Sequence, residues 1–161
     1  VGNYITVGKS LESVKSMLGE ESLMRSIMLS HGTGTPLNKV TESEIFSFFS
    51  RKHNIAQWPV LANKAYVGHS VAAAAGDQLA MALGIWNHGI LPGIHSIDAI
   101  SDDVRQEGLD FVMRNRDVDS KEVDVAFINS KGFGGNNATA NILSPFVTRA
   151  VPDTTIQCSA R

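Results

Sequence analysis

The chain has 161 residues, of which 43% are hydrophobic and 19% charged, and its formal net charge is −2. This composition predicts a globular domain with its own core, and it argues against a disordered chain and against the basic stripe of a nucleic-acid-binding surface. No apolar run in the sequence reaches the length of a membrane-spanning helix. The single cysteine, Cys158, provides no disulfide framework and favours a reducing, cytoplasmic compartment.

Three helices are predicted from hydrophobic spacing. The first covers residues 10–19, where apolar side chains recur every three or four positions. The second covers residues 42–52, because residues 41–44 read Thr-Glu-Ser-Glu, the pattern of a capping box. The third and longest covers residues 70–86 and is apolar on nearly every side, which predicts burial on all sides.

Short apolar runs between these helices predict β-strands. The predicted strands are residues 25–30, 59–61, 92–97 and 123–129, with residues 137–143 returning antiparallel. The charged stretch 100–121 is predicted to be solvated surface. Strands that alternate with helices predict a three-layer α/β arrangement, and such sheets place their sites at the carboxyl ends of parallel strands.

Three glycine-bearing motifs lie where predicted strands and their loops end. Residues 31–36 read His-Gly-Thr-Gly-Thr-Pro, residues 64–70 read Lys-Ala-Tyr-Val-Gly-His-Ser, and residues 132–137 read Gly-Phe-Gly-Gly-Asn-Asn. Glycine lets a loop pass close to a ligand, and threonine hydroxyls beside it can bond an amide-rich group. The third motif also suggests a phosphate cradle, but it lacks the lysine and hydroxyl pair of a P-loop.

In this order, the motifs resemble the C-terminal half of a β-ketoacyl synthase, a condensing enzyme of fatty-acid and polyketide synthesis. The resemblance covers residues 6–145 and implies a thiolase-like half-domain over residues 1–150, followed by a tail over residues 151–161. It implies a mixed sheet with a buried long helix, and a parent enzyme that condenses acyl and malonyl thioesters with loss of carbon dioxide. The substrates would be carried on the phosphopantetheine of an acyl carrier protein, and no other cofactor or metal is implied.

The resemblance also assigns roles to individual residues. The His31 imidazole would polarise a thioester carbonyl or activate water during decarboxylation of the malonyl group. At the start of the long helix, His69 would stay neutral because the helix dipole disfavours its cation, and it would donate a hydrogen bond to the enolate. Lys64 and Glu42 would form a buried ion pair that orders the site and raises its positive potential.

The remaining assigned residues concern the substrate channel. Phe133 would be a gate, because a core aromatic is rarely bracketed by glycines, and its backbone N–H would form half of an oxyanion hole. Thr33, Thr35 and Gly134 would contact the pantetheine arm. Arg51 and Lys52 are candidate basic residues for docking an acidic carrier protein.

The family's nucleophilic cysteine is not evident in this chain. It belongs to the first half of such enzymes, whereas Cys158 follows the last patterned segment and lacks a strand-to-helix setting. We therefore expect the 161 residues alone to be inactive and to need an N-terminal half or a partner subunit, with the full-length enzyme a homodimer. Two departures from the family pattern, Lys39 and Gln78, replace acids and concern substrate preference more than reaction class.

Two rival interpretations remain open at this point. The chain could belong to a non-catalytic subunit that shapes a chain-length tunnel, although retention of Lys64 and both motif histidines argues against it. It could also be a thiolase acting on coenzyme A thioesters without decarboxylation, although Cys158 lacks the glycine-cysteine setting of that family.

Overall fold

A computed structural model describes residues 1–151; Cys158 lies outside this range. The helices are α1 (Gly2–Leu18), α2 (Glu20–Met24), α3 (Pro36–Lys52), α4 (Lys64–Val67), α5 (Ala74–His88) and α6 (Pro145–Ala150). The strands are β1 (Ser26–Leu29), β2 (Trp58–Leu61), β3 (Ile90–Leu91), β4 (Leu109–Phe111), β5 (Arg116–Asp117), β6 (Val125–Lys131) and β7 (Asn137–Leu143).

The main sheet has the strand order β4-β2-β1-β6-β7. Its first four strands run parallel, and β7 returns antiparallel beside β6 over seven residue pairs. The predicted bounds of β7 are confirmed, and so is its antiparallel direction. β3 and β5 form a separate two-stranded antiparallel ribbon. The sheet is therefore mixed, as predicted.

Alternate residues of the central strands pack on opposite sides of the sheet. In β1, Met28 joins the cluster formed with α1 and α3, whereas Ile27 and Leu29 join the cluster formed with α5. Both clusters are built from buried side chains, and Trp58 and Phe127 are among the largest in the first. Because successive strand side chains point to opposite faces, a strand buried on both faces needs an apolar run of this kind. The predicted three-layer α/β arrangement is confirmed.

Two helices begin earlier than predicted. α1 starts at Gly2 rather than at residue 10, and α3 starts at Pro36 rather than at residue 42. Proline suits the first position of a helix because it has no N–H to leave unpaired and its φ is already helical. The predicted capping box is therefore wrong: Thr41 lies inside α3, where its hydroxyl donates to the carbonyl of Leu37.

The segment between α5 and β6 also differs from the prediction. Residues 92–97 are not a strand; the short strand here is β3, which pairs with β5. The stretch 100–121, predicted as solvated surface, contains β4, which forms the edge of the main sheet beside β2. Three residues of strand are too few to produce a visible alternation among charged neighbours.

The long helix is buried on one face only. Its buried residues are Ala74, Gln78, Ala82, Ile85 and Trp86. Leu83, on another face, is 51% exposed, so residues 1–151 alone do not provide the predicted burial on all sides. Within residues 1–151, helices long and apolar enough to cross a membrane are absent.

Candidate active site

The three motifs meet at one edge of the main sheet. β1 ends just before His31, β2 ends just before the turn into Lys64, and β6 ends just before Gly132. These strands are parallel neighbours, so their carboxyl ends lie side by side. The predicted juxtaposition of the motifs at the carboxyl ends of the strands follows from this topology.

The two motif histidines lie against each other. Their ring centroids are 5.2 Å apart and the ring planes are nearly perpendicular, at 83°. His31 Nδ1 accepts the backbone N–H of Lys131 at 3.3 Å, and His69 Nδ1 accepts the backbone N–H of Val71 at 3.1 Å. A neutral imidazole whose Nδ1 accepts a hydrogen bond carries its proton on Nε2. Each ring therefore has an Nε2–H left to donate to a ligand.

The turn that orients His69 has an unusual backbone. Val71 has a φ of 54°, in the left-handed region that a β-branched residue rarely adopts. This residue supplies the N–H that His69 Nδ1 accepts. Strain of this kind persists only where the surroundings impose it, and it is concentrated at functional sites. The strained turn thus sets the direction of an exposed imidazole.

His31 is held in its neutral form. The residue is 6% exposed. Burial, together with the nearby Lys64 cation, lowers the pKa of His31 from 6.5 to about 4, against the opposing effect of Glu42. At neutral pH the His31 ring is therefore an uncharged hydrogen-bond donor that does not have to lose a proton first.

This pKa shift predicts a loss of stability in acid. The unfolded chain protonates His31 near pH 6.5, whereas the folded chain does so only near pH 4, so the unfolded state binds more protons between these values. Stability should fall as the pH drops from 6.5 to 4, and the His31→Gln variant should lose less over the same window. Denaturant unfolding of both full-length proteins checks this; equal pH slopes would contradict it.

Glu42 anchors the loop that carries His31. Its buried carboxylate accepts the backbone N–H groups of His31 at 2.7 Å and Gly32 at 3.1 Å. It also accepts the side-chain amides of Asn38 at 3.1 Å and Asn129 at 2.6 Å. The carboxylate therefore ties α3 and the end of β6 to the loop after β1.

The predicted ion pair between Glu42 and Lys64 is wrong. Among residues 1–151 no carboxylate oxygen lies within 4.0 Å of Lys64 Nζ, and this buried nitrogen has no hydrogen-bond partner there. Burial lowers the pKa of Lys64, and Glu42 acts against this at longer range. The four N–H donors already satisfy the carboxylate, so Lys64 contributes positive potential rather than a contact.

The structure adds three polar residues that sequence reasoning missed. Lys131 Nζ donates to Asn38 Oδ1 at 2.8 Å, and Asn38 in turn donates to Glu42. Asn129 donates to the other carboxylate oxygen of Glu42. Only one of these contacts has a local signal, since Asn38 precedes Glu42 by four residues on one helix. The others join residues about ninety positions apart.

The glycine loop holds Phe133 away from the core. Its side chain is 100% exposed in the described structure, so packing against this part of the chain is excluded. Gly134 and Gly135 have φ values of 78° and 84°, which other residues rarely adopt. Asn136 Nδ2 donates to the Phe133 carbonyl at 3.0 Å and closes the turn.

Thr33 and Thr35 lie on the loop between His31 and α3. Their hydroxyls are 3.3 Å apart and at least partly exposed, and Thr35 is also the residue that precedes α3. Gly34, between them, is exposed, with a φ of 68°.

Lys39, one of the two departures from the family pattern, pairs with Asp103 at 2.8 Å. Within residues 1–151, no group of three acidic, histidine or cysteine side chains is arranged to hold a metal ion.

A mixed sheet with a histidine loop after β1, a lysine and histidine loop after β2, and a glycine loop after β6 defines a condensing-enzyme half. A family model described as the C-terminal domain of β-ketoacyl synthases matches residues 25–98, which include both histidine motifs. The chain belongs to the β-ketoacyl synthase family and carries its C-terminal domain.

Two curated relatives are bacterial synthases. The chain is 50% identical over 146 residues to the β-ketoacyl-[acyl-carrier-protein] synthase FabY of Pseudomonas aeruginosa, covering 89% of this chain and 23% of that protein. It is 34% identical over 111 residues to the 3-oxoacyl-[acyl-carrier-protein] synthase 1 of Escherichia coli, covering 68% and 25%. The chain thus spans about a quarter of the length of these relatives.

Solved structures confirm the thiolase-like fold. The crystal structure of FabY from P. aeruginosa, described as a noncanonical ketosynthase, superposes with a TM-score of 0.90 at 48% identity, covering 93% of this chain and 24% of that one. The ishigamide ketosynthase/chain length factor superposes with a TM-score of 0.61 at 29% identity, covering 74% and 28%.

Proposed function

We propose that this chain is the C-terminal part of a β-ketoacyl-[acyl-carrier-protein] synthase that performs decarboxylative Claisen condensation in fatty-acid synthesis. The observation that carries the proposal is the His31 and His69 pair, in which both Nδ1 atoms accept backbone N–H groups and, within residues 1–151, both Nε2–H groups are left to donate. The likeness to two acyl-carrier-protein synthases supports it.

The chemistry needs two donors near one oxygen atom. When a malonyl thioester loses carbon dioxide, the electron pair of the broken bond moves onto the thioester carbonyl and creates an enolate oxygen. Neutral imidazole donors that are already aimed at this oxygen stabilise the charge as it develops, without reorganisation. In our proposal His31 and His69 supply these donors, and Lys64 and Lys131 raise the positive potential around them.

The acyl group would be transferred to a cysteine supplied by another part of the parent protein. The carbanion formed from the malonyl group would then attack this acyl thioester, and the Phe133 backbone N–H would help to hold the resulting oxyanion. Collapse of the oxyanion would break the bond to the cysteine sulfur, releasing the thiolate and the 3-oxoacyl product. Thr33, Thr35 and Gly134 would contact the pantetheine arm of the carrier. We expect the enzyme to work as a homodimer in the cytoplasm, without a metal or a tightly bound cofactor.

The basic residues predicted to dock the carrier are poor candidates in this structure. Arg51 pairs with Glu107 at 3.5 Å and Lys52 with Glu12 at 3.2 Å. Both lie at the last turn of α3, which has 17 residues and is therefore roughly 25 Å long. Because α3 starts beside the His31 loop, these cations lie at the end of the helix remote from the site.

The gate role of Phe133 leads to a prediction that separates function from packing. Replacing this exposed ring by alanine should leave the thermal unfolding temperature within about 1 °C, because the ring buries nothing in the described structure. Acyl transfer, or discrimination between chain lengths, should change by about tenfold or more. Calorimetry and an acyl-transfer assay on the full-length protein check both; a large drop in unfolding temperature would show that the ring is packed instead.

The alternative is a non-catalytic subunit that sets chain length. The likeness of this chain to the ishigamide ketosynthase/chain length factor is the observation in its favour. A tunnel wall has no use for two adjacent imidazole donors, so the His31 and His69 pair favours the catalytic proposal. A thiolase would use the same fold on coenzyme A thioesters, without releasing carbon dioxide.

The test is a condensation assay with acyl and malonyl carrier proteins. We expect the full-length protein to form a 3-oxoacyl carrier and release carbon dioxide, and the 161-residue chain alone to form none. Product from coenzyme A thioesters without release of carbon dioxide would favour the thiolase. A folded full-length protein that forms no product by either route would favour the non-catalytic subunit.

A further inference from the structure

Gln78 is a fully buried polar residue for which the proposed chemistry has no direct use. Its exposure is 0%, and three backbone carbonyls share the two N–H groups of its Nε2. The acceptors are Leu29 at 2.9 Å, Ser30 at 2.8 Å and Asn129 at 3.2 Å. This amide is therefore placed where the ends of two neighbouring strands converge.

The amide orientation follows from its surroundings. All three groups facing Nε2 are acceptors, so the opposite flip would direct Oε1 at carbonyl oxygens. Oε1 has no hydrogen-bond partner within residues 1–151. An unpaired buried oxygen is costly, and an apolar side chain would avoid that cost in a helix packed on a sheet. Packing on the sheet alone therefore gives no reason for glutamine, and the reason must lie in the carbonyl groups that its amide connects.

The three acceptors explain what the amide connects. Ser30 immediately precedes His31, and Asn129 holds Glu42 and lies two residues before Lys131. Gln78 lies on α5, the helix that follows the His69 turn. One side chain therefore connects α5, the helix after His69, to both β1 and β6. β1 ends just before His31, and the end of β6 carries the N–H group that His31 Nδ1 accepts.

We propose that Gln78 is a positioning residue that sets the relative placement of the His31 and His69 imidazoles. It touches neither ring; it acts through the backbone on either side of them. This inference rests on the proposed function, because placement matters only if both rings act on one substrate oxygen. A shift of about 1 Å in such a pair can cost roughly 100-fold in rate.

The test compares Gln78→Met with Ile85→Ala in the full-length protein. Methionine keeps the length of the side chain but donates no hydrogen bond, whereas Ile85 is buried in an apolar cluster on the same helix and has no side-chain donor to lose. We expect Gln78→Met to lower kcat about 100-fold at nearly unchanged KM. Ile85→Ala, once its loss of stability is measured, should keep kcat within about twofold. The ¹⁵N resonances of both imidazoles should shift in the first variant and not in the second.

A pH profile provides a readout that packing alone would not change. In Gln78→Glu the new carboxyl group can donate to a carbonyl only when protonated, so its kcat should rise as the pH falls. A flat profile would overturn the inference, as would a kcat for Gln78→Met no lower than that of Ile85→Ala. His69→Ala separates the two proposals. If His69→Ala condenses at the normal rate, the proposed function fails. If His69→Ala is inactive but the Gln78 variants condense at the normal rate, only the positioning role of Gln78 fails.

Discussion

Replacing His69 by alanine should lower the rate of condensation by about two to three orders of magnitude while leaving acyl transfer to the cysteine measurable. The reason is that His69 provides one of two Nε2–H donors, and deletion of a single preorganised donor to a developing oxyanion has an effect of this size. Acyl transfer needs the cysteine and the oxyanion hole rather than the enolate donor. Separate assays of acyl-enzyme formation and of 3-oxoacyl product, both on the full-length protein, measure the effects on acyl transfer and on condensation.

His95→Ala is the matched control. His95 is also exposed on a loop, but its Nε2 contacts Asn115 at 3.0 Å and it lies outside the histidine pair. We expect that variant to condense at close to the normal rate. Normal condensation by His69→Ala would remove the residue from the mechanism, and parallel loss of both half-reactions would point to damaged folding instead.

Replacing Glu42 by alanine should cost about 3–5 kcal/mol of stability and remove activity with it. The change leaves four N–H donors without their acceptor, two of them from the backbone of the histidine loop. Removing one member of a buried charged network has an effect of this magnitude, because the groups left behind remain buried and unpaired. Calorimetric unfolding of the full-length protein and a condensation assay measure the two consequences.

Glu44→Ala on the same helix is the control for Glu42. Its side chain is exposed, and a surface substitution of this kind usually changes stability by no more than about 0.5 kcal/mol. If the two variants unfolded alike, the carboxylate of Glu42 would not be the anchor of the loop.

Much of the fold was predictable because its signals are local. β6 begins with a continuous apolar run, polar and apolar residues alternate in β7 from Asn137 to Ile142, and a glycine turn marks the reversal between the two strands. The start of α1 has no such signal, whereas the start of α3 has one that the prediction did not use. Pro36 was assigned to the motif rather than to the helix, although proline at a first helical position is a recognised start signal.

The site was predictable as a set of residues but not as a set of contacts. The sequence motifs identify His31 and His69 as site residues, and the parallel strands of the sheet bring their loops together. The partners of Glu42 depend on distant chain segments, since Asn129 is 87 residues away, and no spacing rule predicts that contact. The expected ion pair with Lys64 failed because N–H donors, rather than an ammonium group, satisfy the carboxylate. The apolar pattern of α5 predicts a helix covered on all sides, but it does not say which part of the protein covers each face.

The most direct test of the account is decarboxylation of malonyl carrier protein, measured as release of labelled carbon dioxide without an acyl donor. In this assay the enolate forms but no condensation follows, so the two imidazole donors are examined alone. We expect His31→Ala and His69→Ala in the full-length protein each to slow the release by about 100-fold or more, because alanine provides no side-chain N–H donor. We also expect little further loss in the double variant, because both donors serve one oxygen. Release at the normal rate from either single variant would contradict the claim that the pair stabilises the enolate.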